Sequence, residues 1–192
     1  MQKATYKMLS ERAKHISPFI VMEVLEKAAE MERKGVHIIH LEVGEPDFDV
    51  PRCVSAAATE AMAEGRSHYT HSLGVPELRE EIVKRYEREY NVNVSPEQII
   101  VTSGSFPAIL LALGVLCDPG DEVILSDPGY ACYPNFLQFI GANAVKVPVF
   151  EEDGFQYKPE EICKRISGKT KAIMINSPMN PTGNLLSPEF MQ

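Results

Sequence analysis

The chain has no tryptophan, no C-x-x-C pair, no long apolar run and no excess of positive charge. Each absence closes off a class of function. Four cysteines, Cys53, Cys117, Cys132 and Cys163, lie scattered, which argues against a zinc framework or a disulfide staple and reads as the reduced thiols of a cytoplasmic enzyme. The longest apolar run, Ala108 to Cys117, is about half the ~20 residues that a membrane-spanning helix needs, so it reads as a core helix. From Lys7 to Lys14 the chain is polar and mixed in charge, unlike the lead of a targeting segment. A net charge of −8 speaks against a nucleic-acid surface, because phosphate binding wants a basic face. His15, His37, His40, His68 and His71 share no spacing with carboxylate or cysteine ligands, so no metal is expected. Internal repeats, low-complexity tracts, G-x-G-x-x-G, the P-loop and G-x-S-x-G are missing too.

What is present is ordinary globular material. At 192 residues, 44% hydrophobic and 24% charged, the chain has the length and composition of roughly one soluble domain. Ser17-Pro18 reads as an N-cap and first helical position, with Val21, Val24, Leu25, Ala28 and Met31 at helical spacing until Gly35. Pro51 and Gly65 bracket a second helix with Val54, Ala58, Ala61 and Met62 on one face. Pro76 opens a third, striped by Leu78, Ile82, Tyr86 and Tyr90 and closed by Asn91. Its charges from Glu77 to Glu89 read as a solvated face. Between the first two helices, Ile38 to Leu41 is a short extended piece running into the polar turn Gly44-Glu45-Pro46-Asp47, where Asp47 and Asp49 suit turn capping.

From Ile99 the rhythm changes to alternating strand and helix. Ile99 to Thr102, Glu122 to Ser126, Ala144 to Val149 and Lys171 to Asn176 are β-branched runs; Pro107 to Cys117, Tyr133 to Ile140 and Pro159 to Ile166 are the intervening helices. Crossovers of this length imply an α/β fold, a mostly parallel sheet with helices on both faces. Ser187-Pro188-Glu189 repeats a helix-start signature a few residues before Gln192, so we expect the chain to be a fragment of a longer protein.

Three turns carry chemistry. Thr102-Ser103-Gly104-Ser105-Phe106-Pro107 joins a strand to the hydrophobic helix, and unpaired N–H groups at a helix start suit a phosphate. Asp127-Pro128-Gly129-Tyr130 puts an aromatic ring after the next strand, where it can lie against a heteroaromatic ring. The apolar run Ala172 to Ile175 opens into Asn176-Ser177-Pro178-Met179-Asn180-Pro181-Thr182-Gly183, an amide-bearing turn where open α/β sheets bind ligands.

This octet resembles the Asn-Pro-Thr-Gly turn of the fold-type I, pyridoxal-phosphate-dependent aminotransferases of the aspartate aminotransferase class. Gly44-Glu45-Pro46-Asp47-Phe48, Tyr69-Thr70 and Gly74-Val75-Pro76-Glu77-Leu78-Arg79 resemble segments of the same family, in the same order. The likeness runs from about Ser17 to Gly183. It implies pyridoxal 5'-phosphate as cofactor and amino acids and 2-oxo acids as substrates. By the same likeness, Gly104, Ser105 and Phe106 would cradle the cofactor phosphate, chiefly by backbone N–H groups. Tyr130 would stack on its ring, and Asn180 would donate to its phenolic oxygen. Gly44 would offer its amide to the substrate carboxylate. Tyr69 would reach the phosphate in a partner subunit, making a homodimer with shared sites. Phe106 departs from the family, which often has a small or polar residue there; a backbone contact survives that change and a side-chain contact does not. The resemblance also implies residues 1–45 as part of a small domain and 46–192 as part of the large, cofactor-binding one. No catalytic residue is assigned within the chain. The family's Schiff-base lysine lies further on, and Lys146, Lys158, Lys164, Lys169 and Lys171 stand in no matching context. A lyase or synthase on the same scaffold, or a non-catalytic remnant, are the alternatives.

Overall fold

The computed structural model describes residues 9–191; Lys7, where the mixed-charge stretch begins, and Gln192 lie outside them. The described residues form two compact units, one of residues up to Glu23 together with those from Ile109 onward, the other Val24–Ala108. No helix among them is long and apolar enough to cross a membrane.

The first unit is built on a three-stranded parallel sheet, β1 Glu122–Asp127, β2 Asn143–Pro148 and β3 Thr170–Ile173, in the order β2-β1-β3. In register, Ile124 lies beside Val145 and beside Ile173. Central β1 is buried on both faces: Val123, Ile124 and Leu125 in succession are shut off from water, as expected of a strand covered on two sides. Val123 and Leu125 point into one core with Leu113, Phe136 and Leu137, from the helices α5 Ser105–Leu116 and α6 Tyr133–Ile140, and with Cys117 just past α5. Ile124 points the other way, with Val147, Val149, Tyr157 and Met179 and with Ile162 from the short helix α7 Pro159–Cys163. The α/β reading therefore holds, with helices on both faces of the sheet.

Helix α6 begins and ends where the sequence places it, because Pro134 suits its first turn and Gly141, at φ +85°, ends it in the left-handed region. A five-residue helix that the sequence reading omits, α1 Glu11–His15, is capped by Ser10, whose hydroxyl accepts from the Ala13 N–H at 3.3 Å. It is tied to α6 by Arg12, which donates to the Phe139 carbonyl at 3.1 Å and sits over the Phe139 ring.

The second unit holds most of α2 Ile20–Glu32, then α3 Arg52–Ala63 and α4 Pro76–Tyr90. Asn91 closes α4 in the left-handed region at φ 52°.

Several expectations need correction. Ser17 does not cap a helix starting at Pro18; its N–H and carbonyl are taken by the side-chain amide of Asn135 (3.2 and 2.9 Å), and α2 starts at Ile20. Ile99 to Thr102 pairs with none of β1, β2 and β3 and joins no sheet among the described residues; the Val101 N–H donates instead to the Leu73 carbonyl at 2.9 Å. The apolar helix α5 starts at Ser105 and is core on one side only, since Leu111, Leu116 and above all Val115, 86% exposed, face outward. Val54 and Met62 on α3 are likewise exposed. Helix α7 ends at Cys163 and dissolves into turns before Ile166. Ser187-Pro188-Glu189 makes a capped turn, with Phe190 N–H donating to the Ser187 hydroxyl, rather than a helix within the described residues.

Candidate active site

Two of the expected site residues lie in the first unit, on loops that leave the carboxyl ends of neighbouring strands. Tyr130 follows β1 and Asn180 follows β3, the edge at which parallel sheets take ligands. Both loops are pinned from below. Cys132 and Tyr133, next to Tyr130, enter the core cluster that covers one face of the sheet, and Met179, next to Asn180, is 2% exposed in the cluster on the other face.

Tyr130 is half-buried and meets Tyr133 edge to face at 5.1 Å between ring centroids. Burial, reinforced by a hydrogen bond with the Cys132 side chain, pushes its phenol above the ordinary tyrosine range. The ring is therefore neutral across the whole physiological range. It helps line a cavity of about 380 Å³ at the mouth of β1, with Ser126, Asp127, Tyr133 and Asn135. Lys146 reaches the same cavity from β2 and pairs with Asp127 at 3.4 Å.

The Asn180 turn is closed by its own backbone and by three side chains. Gly183 N–H donates to the Met179 carbonyl at 2.7 Å, and Met179 N–H to the Asn184 carbonyl at 2.9 Å. Asn176 accepts from the Asn180 N–H through Oδ1 at 2.9 Å, and Thr182 bonds Asn184. With its main chain held this way, Asn180 carries an exposed side-chain amide. The peptide bonds before Pro128, Pro178 and Pro181 are cis. Asn176 was missed as a functional residue by sequence reasoning; an asparagine four residues ahead of Asn180 is the signal that could have found it.

The remaining expected residues lie in the second unit. Gly104, at φ +82°, turns the chain into α5 with open space where a Cβ would stand, and its N–H donates to the Thr102 carbonyl at 2.9 Å. Ser105 and Phe106 form the first turn of α5, which carries no acidic residue. Gly44 is exposed, and Tyr69 is fully so. Just upstream of Gly44, His40 stands between two carboxylates, Glu42 Oε1 at 2.5 Å from Nδ1 and Glu32 Oε1 at 3.0 Å from Nε2. His71 accepts from the Leu73 N–H at 3.1 Å, a turn-holding role. Among the described residues no cluster of metal-ligating side chains occurs.

Residues 36–192 match the family Aminotransferase class I and II. The chain belongs to that family. It is 40% identical over 184 residues to a probable aspartate/prephenate aminotransferase of Thermus aquaticus, a match covering 96% of this chain and 48% of that protein. Over 185 residues it is also 40% identical to the (5-formylfuran-3-yl)methyl phosphate transaminase of Methanocaldococcus jannaschii, with the same shares covered. Among solved structures, the aspartate aminotransferase of Thermus thermophilus with maleate superposes with a TM-score of 0.92 at 40% identity, covering 95% of this chain and 48% of that one. The chain thus spans about half the length of the relatives it matches.

Proposed function

We propose that the protein carrying this chain is a pyridoxal-phosphate-dependent aminotransferase that moves an amino group between an amino acid and a 2-oxo acid. The observation that carries the reading is the Asn176–Gly183 turn, which pins the Asn180 backbone on the loop after β3, at the same strand end as the Tyr130 loop of neighbouring β1, in a chain of this family. The residues present suit the cofactor. Gly104 leaves room for a phosphate beside the backbone, the first turn of α5 brings no competing carboxylate, and Tyr130 presents a neutral ring.

When bound, pyridoxal phosphate supplies an electron sink for the bond cleaved at the substrate's α-carbon. The chain's own groups bind and orient. The backbone N–H groups of Ser105 and Phe106, helped by the positive end of α5, would hold the phosphate, with Gly104, whose own N–H is taken by the Thr102 carbonyl, giving it room. Tyr130 would hold the ring by stacking, and the Asn180 amide would donate to its phenolic oxygen, favouring the anionic form. Gly44 N–H positions the substrate carboxylate. Tyr69, exposed on its loop, reaches a phosphate held by a second copy, which makes the enzyme a homodimer. We propose a division at about residue 45, with 1–45 going with the small domain and 46–192 with the cofactor-binding domain, although the described residues up to Glu23 pack with the sheet of the latter, and we place the enzyme in the cytoplasm.

The test is amino-group exchange by the full-length protein, followed as transfer of a nitrogen label from an amino acid to a 2-oxo acid. Asn180→Ala removes a hydrogen bond to a charged acceptor, typically about 1.5–3 kcal/mol, and so should weaken cofactor-dependent turnover roughly ten- to a hundredfold. Absence of exchange in the unmutated protein, or an unaffected Asn180→Ala variant, would refute the reading.

A further inference from the structure

The run Ile99–Thr102 leads directly into Gly104, yet it pairs with no strand among the described residues. What fixes it comes from the start of α4, in the same unit. The Leu73 carbonyl accepts from the Val101 N–H at 2.9 Å. Gly74 follows at φ +102°, and a Cβ built there would stand 2.7 Å from Val101 Cβ and 2.8 Å from Val101 Cγ2, closer than carbon atoms approach. Only a residue without a side chain lets the turn lie this close, and the backbone there is one that glycine alone adopts without strain. Further along α4, Arg79, 8% exposed, donates through Nη1 to the Pro96 carbonyl at 3.1 Å, upstream of the run. Downstream, Thr102 Oγ1 donates to the Gly104 carbonyl and Gly104 N–H to the Thr102 carbonyl, so the loop from 102 to 104 hangs as one piece from Val101.

We infer that Gly74 is a positioning residue for the phosphate loop: its missing side chain lets the Leu73–Gly74 turn clamp Val101, and that clamp sets where Gly104 and the N–H groups of Ser105 and Phe106 stand. The inference rests on reading Gly104–Phe106 as the phosphate loop. A side chain at position 74 has to displace Val101, the backbone bond to Leu73 opens, and the loop moves with it. Hydrogen bonds to a phosphate weaken steeply with length and angle, so a small shift costs affinity. A ligand lacking the phosphate does not sense the move.

The measurement compares pyridoxine 5'-phosphate with pyridoxine, the same ring with and without the phosphate, titrated into the full-length protein by fluorescence. The unmutated protein should bind the phosphate ester far more tightly. Equal affinities there would refute the phosphate-loop reading itself. In Gly74→Ala the ester should bind at least tenfold more weakly, with pyridoxine changed less than twofold. Parallel loss of both would mark a merely structural role and overturn the inference, as would no change in either. Where Gly74→Ala does not fold, Val101→Ala decides. It keeps the Cβ facing Gly74 and removes the methyl groups wedged against the turn, so a selective loss of about threefold is expected, and an unaltered ratio overturns the proposal.

Discussion

Met179 should be the residue on which the Asn180 turn depends most for stability. It is 2% exposed, packed with Ile124, Val147, Val149, Tyr157 and Ile162 on one face of the sheet. Its backbone is bonded on both sides, to Asn184 and from Gly183. It is the one fully buried residue from 176 to 183, so this thioether is the turn's main apolar anchor. Truncating a buried methionine to alanine costs about 2–5 kcal/mol, the lost transfer free energy plus the cavity left behind. Against a typical total of roughly 5–15 kcal/mol, that is a large share. With a urea dependence of about 1–3 kcal/mol per molar, a loss near 3 kcal/mol moves the unfolding midpoint by roughly 1–3 M.

Met179→Leu conserves volume and should cost less than about 1.5 kcal/mol. The assay is urea unfolding of both variants in the full-length protein, paired with amide hydrogen exchange at Asn180. Exchange reports whether the Asn176 Oδ1 bond loosens as the anchor goes. A Met179→Ala midpoint indistinguishable from that of Met179→Leu, with protection at Asn180 unchanged, would refute the argument, because it would mean the turn holds itself without the plug.

Two further outcomes are expected. Hydrogen bonds to Glu42 first and Glu32 second raise the His40 pKa above its ordinary 6.5, so its contribution to stability is fully present below pH 6.5 and is lost as pH rises through the raised value. His40→Gln should therefore flatten the stability–pH curve above about 6.5, the ordinary value for histidine; an identical slope in variant and parent would contradict it. Gly141→Ala should destabilise by roughly 1–2 kcal/mol, since alanine at φ +85° is strained and its Cβ meets Pro119 at 3.3 Å; an unshifted urea midpoint would contradict that.

How far the sequence could be read depended on whether the deciding partner was near in the chain. Helix α6 and the end of α4 were legible because prolines, Gly141 and Asn91 mark their ends locally. The order of the three turns after Ile99 was legible as well, since each is short and carries its own chemistry. Ser17 was misread because its partner, Asn135, lies 118 positions away and competes with the local cap. Ile99 to Thr102 has the composition of a strand, but a ladder needs a partner that composition cannot supply. The open face of α5 has the same cause. An apolar helix announces that it will be covered, not by what, and no described residue covers Val115.

The same division runs through the candidate site. Tyr130 and Asn180 are recognisable because each stands on a Pro- and Gly-rich turn just past a strand, Asn180 exposed and Tyr130 only half-buried against the core. The groups that hold them, Cys132, Met179 and Asn176, look like filler until the core and the hydrogen bonds are seen. Yet a donor acts on a ligand only if it is held within a few tenths of an ångström, and the holding is done by these less conspicuous neighbours. A substitution at Asn176 or Met179 should thus resemble a mild form of the Asn180 change, weakening the proposed cofactor contact while leaving the Asn180 side chain in place. Geometry, rather than the presence of the amide, is what such variants would isolate.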